Sequence, residues 1–316
     1  MEKQLEWIRG GGYEAGIAPD RGAAVMRLRY LPGNHEILRA PASRESWEAS
    51  PFLYGMPVLF PPNRIDGGCF SFGGRTYRFP VTDRERNCSL HGSLHLSTFQ
   101  VEEQAEDRIC MVYRADADRP YGCFPHAFTF RIRAETGSEG FRHEVQITNQ
   151  SDRCMPLMLG FHTTFRRPGA AGDAGNIRLG LSADREIMRD PVRLLPTGEV
   201  RTVSETLEQL RQGCFHPWQR TRTVSCLYES TPDMRMVLEH PSHAYRVVYE
   251  TEGYRFWMVY GGGSLDYLCV EPQTCMINAP NTGFPREETG FRSLAPGKTA
   301  VFRMKIHVEA GADVSA

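Results

Sequence analysis

Between Asn63 and Gly92, apolar residues alternate with polar ones on both sides of a glycine pair. Phe70 and Phe72 precede Gly73-Gly74, and Tyr77 and Phe79 follow it. That spacing predicts a β-hairpin. The same period of two recurs along the chain. Met26, Leu28 and Tyr30 alternate with Arg27 and Arg29 ahead of a Pro32-Gly33-Asn34 turn, and Phe128, Phe130 and Ile132 alternate with Thr129, Arg131 and Arg133. Phe141 to Thr148 repeats the pattern. Met56 to Phe60, Ile109 to Tyr113, Tyr245 to Tyr249, Arg255 to Tyr260, Tyr267 to Glu271 and Val301 to Val308 are alternating or apolar throughout. Such runs are half-buried or buried strands.

One segment has helical spacing. Val203, Leu207 and Leu210 recur at helical intervals, Thr202 and Glu205 are placed for a capping box, and Gly213 can end the helix. Ala42 to Gly55 reads as irregular. Strands at intervals of roughly 8–12 residues, with no βαβ rhythm, predict an all-β protein, a large antiparallel β-sandwich. The 30 glycines and 21 prolines are scattered as turn punctuation, so residues 1–316 are expected to form a single domain.

Composition narrows the function. A formal charge of −1 without a basic run argues against nucleic acid as a partner. No apolar run is long enough for a bilayer, and the N-terminus lacks an apolar signal core, so a soluble cytoplasmic protein is expected, as monomer or homodimer. The nine cysteines are irregularly spaced, and Cys110, Cys226 and Cys269 lie in apolar runs; they read as reduced core residues.

Three stretches pair a rigid scaffold with titratable groups. Asn63-Arg64 enters the hairpin after Pro61-Pro62, and the loop beyond it reaches His91-Gly92. In Pro156 to Phe165, Leu157, Leu159, Phe161 and Phe165 alternate onto one face, leaving Met158, Gly160, His162 and Thr164 on the other. Gly160 clears space for a ligand or a neighbouring backbone. In Asp266 to Thr274 an apolar strand is expected to end at Glu271, with Pro272 stopping the ladder. On the residues alone, Glu271 reads as a partly desolvated base or as a solvated strand-end carboxylate. His162 reads as an acid or as a satisfied core imidazole, His91 as a ligand-orienting or a surface imidazole, and Arg64 as a donor to hydroxyls or a structural ion-pair partner.

Taken in order, NRI, G-x-F-x-F-G-G-x-x-Y, HG, GFH-x-x-F, EPQT and NAPN resemble the aldose 1-epimerases, or galactose mutarotases, over nearly the whole chain. The resemblance implies a galactose mutarotase-like supersandwich with a sugar cleft. It also implies interconversion of the α and β anomers of a free aldose by acid–base ring opening, without a cofactor. It casts Glu271 as base, His162 as acid and His91 as the group orienting the ring oxygen, with Asn63 and Arg64 contacting the sugar. On the residues alone, Trp218, Trp257 and Phe284 read as candidates to stack on the apolar face of a sugar or, as aromatics in β-proteins usually are, as core residues. The chain departs from the family where an Asp-His pair is replaced by Cys214 to Gln219, where HGG reads HGS, and at Thr164 in place of an aromatic.

Two rivals remain. A sugar-phosphate 1-epimerase would recruit Arg84, Arg86, Arg166 and Arg167, and a non-catalytic carbohydrate-binding protein would dispense with Glu271 or His162. The spacings His91/His95, Cys123/His126 and His240/His243 lack the companions of a closed zinc site, so no metal is expected.

Overall fold

The computed structural model describes residues 5–122, 124–167, 177–218, 224–240, 245–261 and 266–310. Two large antiparallel sheets dominate. The first runs, in spatial order, through Gln100–Gln104, Arg108–Ala115, Phe128–Gly137, Gly140–Asn149, Thr299–Ala310, Tyr245–Glu252, Arg235–His240 and Arg178–Leu181. The second runs through Pro196–Arg201, Ala183–Arg189, Val224–Ser230, Phe256–Gly261, Tyr267–Gln273, Gly160–Phe161 and Val58–Leu59, with Thr164–Arg166 also pairing to Tyr267–Gln273. A four-stranded sheet built from Glu6–Gly10, Tyr13–Ala18, Ala24–Tyr30 and His35–Glu36 flanks them.

The inner faces of the large sheets meet in one apolar core. Tyr249 of the first sheet packs edge-on against Trp257 (ring centroids 5.7 Å apart) and Phe165 (5.8 Å) on the other side. His143 meets Phe161 in the same way at 5.1 Å. This is the predicted β-sandwich, and the Phe70/Tyr77 hairpin forms with Gly73 and Gly74 both at positive φ.

Three local expectations are corrected. The helix spans Glu205–Gln212, and its N-cap is Ser204, whose side chain accepts from Leu207 N, while Thr202 and Val203 precede it and Val203 is 84% exposed. Gly213 closes the helix in the left-handed region, as expected. Ser204→Ala should therefore lower stability by about 1 kcal/mol in urea unfolding, and Thr202→Ala by less than about 0.5 kcal/mol. Within Ala42 to Gly55, Ser43 and Ser46 cap each other to start a short helix, Arg44–Ala49, and a 3-10 turn, Pro51–Leu53, follows. Finally, Pro156 to Phe165 is three short strands instead of one, buried on both sides. Gly160 is indeed a close approach, since a Cβ there would lie 2.9 Å from Pro62 Cβ and 3.2 Å from Pro272 O.

Candidate active site

The Tyr267–Gln273 strand is buried along its whole length. Its odd-numbered residues face away from the core, and pairing to Phe256–Gly261 sets Glu271 opposite Met258 and Cys269 opposite Tyr260. Contrary to expectation, Glu271 lies inside the strand: Pro272 pairs with Trp257 and Gln273 with Phe256 beyond it. Proline locks φ in a range that extended strands accept, and it removes only one donor.

Glu271, Met258 and Tyr260, together with Ser225, form the floor of a cavity of about 340 Å³. The Pro51–Leu53 turn, Asn63, Arg64, His91 and His162 form its walls. His162 Nε2 lies 3.1 Å from Glu271 Oε1, with the residues 5% and 2% exposed. Gln273 Nε2 donates to the other carboxyl oxygen at 3.3 Å. Burial pushes the Glu271 carboxyl up to about 8, against weaker opposing pulls from the Gln273 hydrogen bond and the Arg189 and Arg64 charges. Burial pushes His162 down to about 3. Both groups thus favour their neutral forms, and the empty pair holds its one proton on the carboxyl.

His91 sits edge-on to His162, with ring centroids 5.3 Å apart. Its Nδ1 accepts from Asn63 N at 3.2 Å, and its backbone N–H donates to Asn63 O at 2.9 Å. That reciprocal pair leaves Nε2 as the N–H of the neutral ring. Burial first, then the His162, Arg64 and His95 charges, lowers its pKa well below the ordinary imidazole value. Gly92 has φ +62°, and a Cβ there would come within 2.0 Å of Phe60 O, so only glycine fits behind His91.

Arg64 reaches the cavity with its fork held from behind. Nε donates to Asp83 Oδ2 at 2.8 Å, and Asp83 also pairs with Arg86 at 3.3 Å. Arg64 is therefore a structural ion-pair partner that also lines the cavity. The NAPN stretch braces it: Asn278 N donates to Arg64 O, Asn278 Oδ1 accepts from Asp66 N, and Asn281 Nδ2 donates to Cys69 O.

The structure does not bring the expected tryptophans to this site. Trp218 is buried in the core and lines none of the cavity. Trp257 is one residue out of phase with Met258 and faces Tyr249 across the core. Phe284 packs against the core from outside the cavity. The aromatic surfaces at the site are Phe52 and Tyr260. Phe52 packs on His91 (4.5 Å), His95 (4.6 Å) and His162 (5.9 Å). It arrives on the Pro51–Leu53 turn, inside the stretch whose sequence reads as irregular.

Of the spacings considered for metal, His91 and His95 share Phe52 as a neighbour. His126 is hydrogen-bonded to Tyr77 Oη and Ser151 Oγ. Cys123, the His240 side chain and His243 lie outside the described residues.

Comparison with known proteins gives the same architecture a lineage. The family profile for aldose 1-epimerase matches residues 3–307. The chain belongs to the aldose 1-epimerase family. A galactose mutarotase-like protein of Clostridium acetobutylicum superposes with a TM-score of 0.89 at 31% identity, covering 96% of this chain and 94% of that one. A GalM/aldose epimerase homologue from C. elegans has the same fold (TM-score 0.78, 17% identity, covering 98% and 99%). Among curated proteins, the uncharacterized protein YihR of Escherichia coli K12 is 23% identical over 291 residues, 87% of this chain and 85% of its own. The described residues are mostly β. No helix among the described residues is long and apolar enough to cross a membrane.

Proposed function

We propose that this protein is an aldose 1-epimerase that interconverts the anomers of a free aldose, with the His162–Glu271 pair exchanging protons with the sugar. The observation that carries this reading is the 3.1 Å contact between a buried imidazole and a buried carboxyl on the floor of a sugar-sized cavity. Ring opening needs one group to take the C1 hydroxyl proton and another to protonate the ring oxygen, and reclosure reverses both transfers. A pair sharing one proton supplies one donor and one acceptor whichever partner holds it. When Glu271 acts as base, the proton sits on His162, and the Arg189 and Arg64 charges stabilise the resulting carboxylate. His91 Nε2–H donates to a sugar oxygen, Arg64 to hydroxyls, and Phe52 and Tyr260 offer ring surface to the sugar's C–H face.

A phosphorylated substrate is less favoured by the arginines. Arg166 and Arg167 line a separate cleft with Arg27, Glu36, Arg39 and Asp266, Arg84 is exposed, and Arg86 is paired with Asp83. Saturation-transfer NMR between anomeric protons, across free and phosphorylated aldoses, tests the choice. Exchange is expected for free aldoses, and exchange confined to phosphorylated ones would reverse it.

The pH dependence follows from the pair. It holds one proton between about 3 and about 8, so kcat/KM should form a broad bell whose alkaline limb falls near 8. A rate still climbing well above that limb would mean that no shared proton is needed.

A further inference from the structure

Cys269 stands two residues before Glu271, so its side chain leaves the strand on the same side, yet the acid–base chemistry does not use it. Its Sγ, one nitrogen of His162 and one carboxylate oxygen of Glu271 all lie within 4.8 Å of one another. Among the described residues, no other three His, Cys, Asp or Glu side chains gather this closely. His162 Nδ1 has no hydrogen-bond partner among the described residues, and Cys269 Sγ is hydrogen-bonded to Thr164 Oγ1 at 3.4 Å. His162 and Glu271 line the cavity, so an ion reaches the group by the sugar's own route.

We propose that His162, Cys269 and Glu271 form an inhibitory binding site for a borderline-soft divalent cation of the zinc type, which competes with the sugar. Zinc takes thiolate, imidazole and carboxylate ligands at ~2.0–2.3 Å in a tetrahedron, which places ligand atoms roughly 3.5 Å apart. The ligand atoms, which lie within 4.8 Å of one another, would have to close by about 1 Å to reach that spacing. The fourth position then opens on the cavity. Magnesium and calcium prefer six or more oxygen ligands, which this mixed set does not provide. On binding, the thiol proton and the proton shared by His162 and Glu271 leave for solvent, and the metal takes up the lone pairs that would have exchanged protons with the sugar. Acid–base exchange stops while the metal is bound.

Cobalt(II) is the probe. Titrated into the metal-free protein without sugar, it should produce a thiolate-to-cobalt charge-transfer band in the near ultraviolet, which zinc bleaches and which Cys269→Ser lacks. In the exchange assay zinc should abolish anomer exchange and a chelator should restore it. Cys269→Ser should retain exchange without zinc while its sensitivity to zinc falls at least about tenfold. No charge-transfer band in the wild-type protein overturns the proposal even if zinc inhibits, because inhibition then runs through other groups. A band without inhibition overturns the competitive role. If Cys269→Ser fails to fold, the wild-type band and its bleaching by zinc still decide. The optical titration needs no substrate, so it stands or falls separately from the epimerase reading.

Discussion

Glu271→Gln is expected to reduce anomer exchange by ~10²–10⁴-fold while making the folded protein more stable. The amide keeps the shape of the carboxyl and can still meet His162 and Gln273, but it cannot carry the shared proton. Sugar binding should persist, because Arg64, His91, Phe52 and Tyr260 are untouched. The stability gain follows from linkage. Below about 4.5 the carboxyl is protonated in both the folded and unfolded chain; between there and about 8 the unfolded chain releases a proton that the folded chain keeps. Stability contributed by this group is therefore lost as pH rises through that window, a deficit on the order of 3 kcal/mol near neutrality. Gln has no such deficit. Urea unfolding should show the variant more stable than wild type near pH 7, with the gap closing toward pH 4.5. Near-wild-type exchange by saturation-transfer NMR would remove Glu271 from the chemistry. A variant less stable than wild type at neutral pH would mean that the carboxyl is paired and charged in the fold.

Alternation made the sandwich readable, because each strand with one buried face writes its period of two into the chain. The hairpin around Gly73-Gly74 and the capping glycine at Gly213 were readable for the same local reason: left-handed backbone selects glycine. Motifs in their order pointed to His91, His162, Glu271, Asn63 and Arg64, and the fold brings all five to one cavity. What was not readable depends on register. Whether Trp257 or Met258 shares a face with Glu271 is decided by pairing between two strands, and neither strand's own pattern encodes it. Trp218 was an aromatic without a strand partner to place it, and it went to the core. Phe52 was hidden because its turn is three residues long and the helix before it, capped by Ser43, completes its capping box with Ser46 where a Glu or Gln would have been a clearer signal. Arg64 illustrates long range in a different way. Its partner Asp83 lies beyond the whole hairpin, so the ion pair exists only once the hairpin has closed.

His162→Asn is expected to lose ~10²–10⁴-fold in exchange, and the more informative result is what happens when it is combined with Glu271→Gln. If the two groups pass one proton across their 3.1 Å contact, removing either leaves the other without a partner to complete the cycle. The double variant should then be little slower than the worse single one. Two groups acting in separate steps would instead lose activity multiplicatively. Binding again serves as the control: each single variant should hold the sugar within a few-fold of wild type by ligand-observed NMR, since the loss lies in the transition state. The pH profile adds a second check, because the alkaline limb near 8 belongs to the carboxyl of the pair. It should survive in whatever residual activity His162→Asn retains and vanish from that of Glu271→Gln. Multiplicative losses in the double variant, or an alkaline limb that persists without Glu271, would break the shared-proton mechanism and leave the two residues as independent contributors.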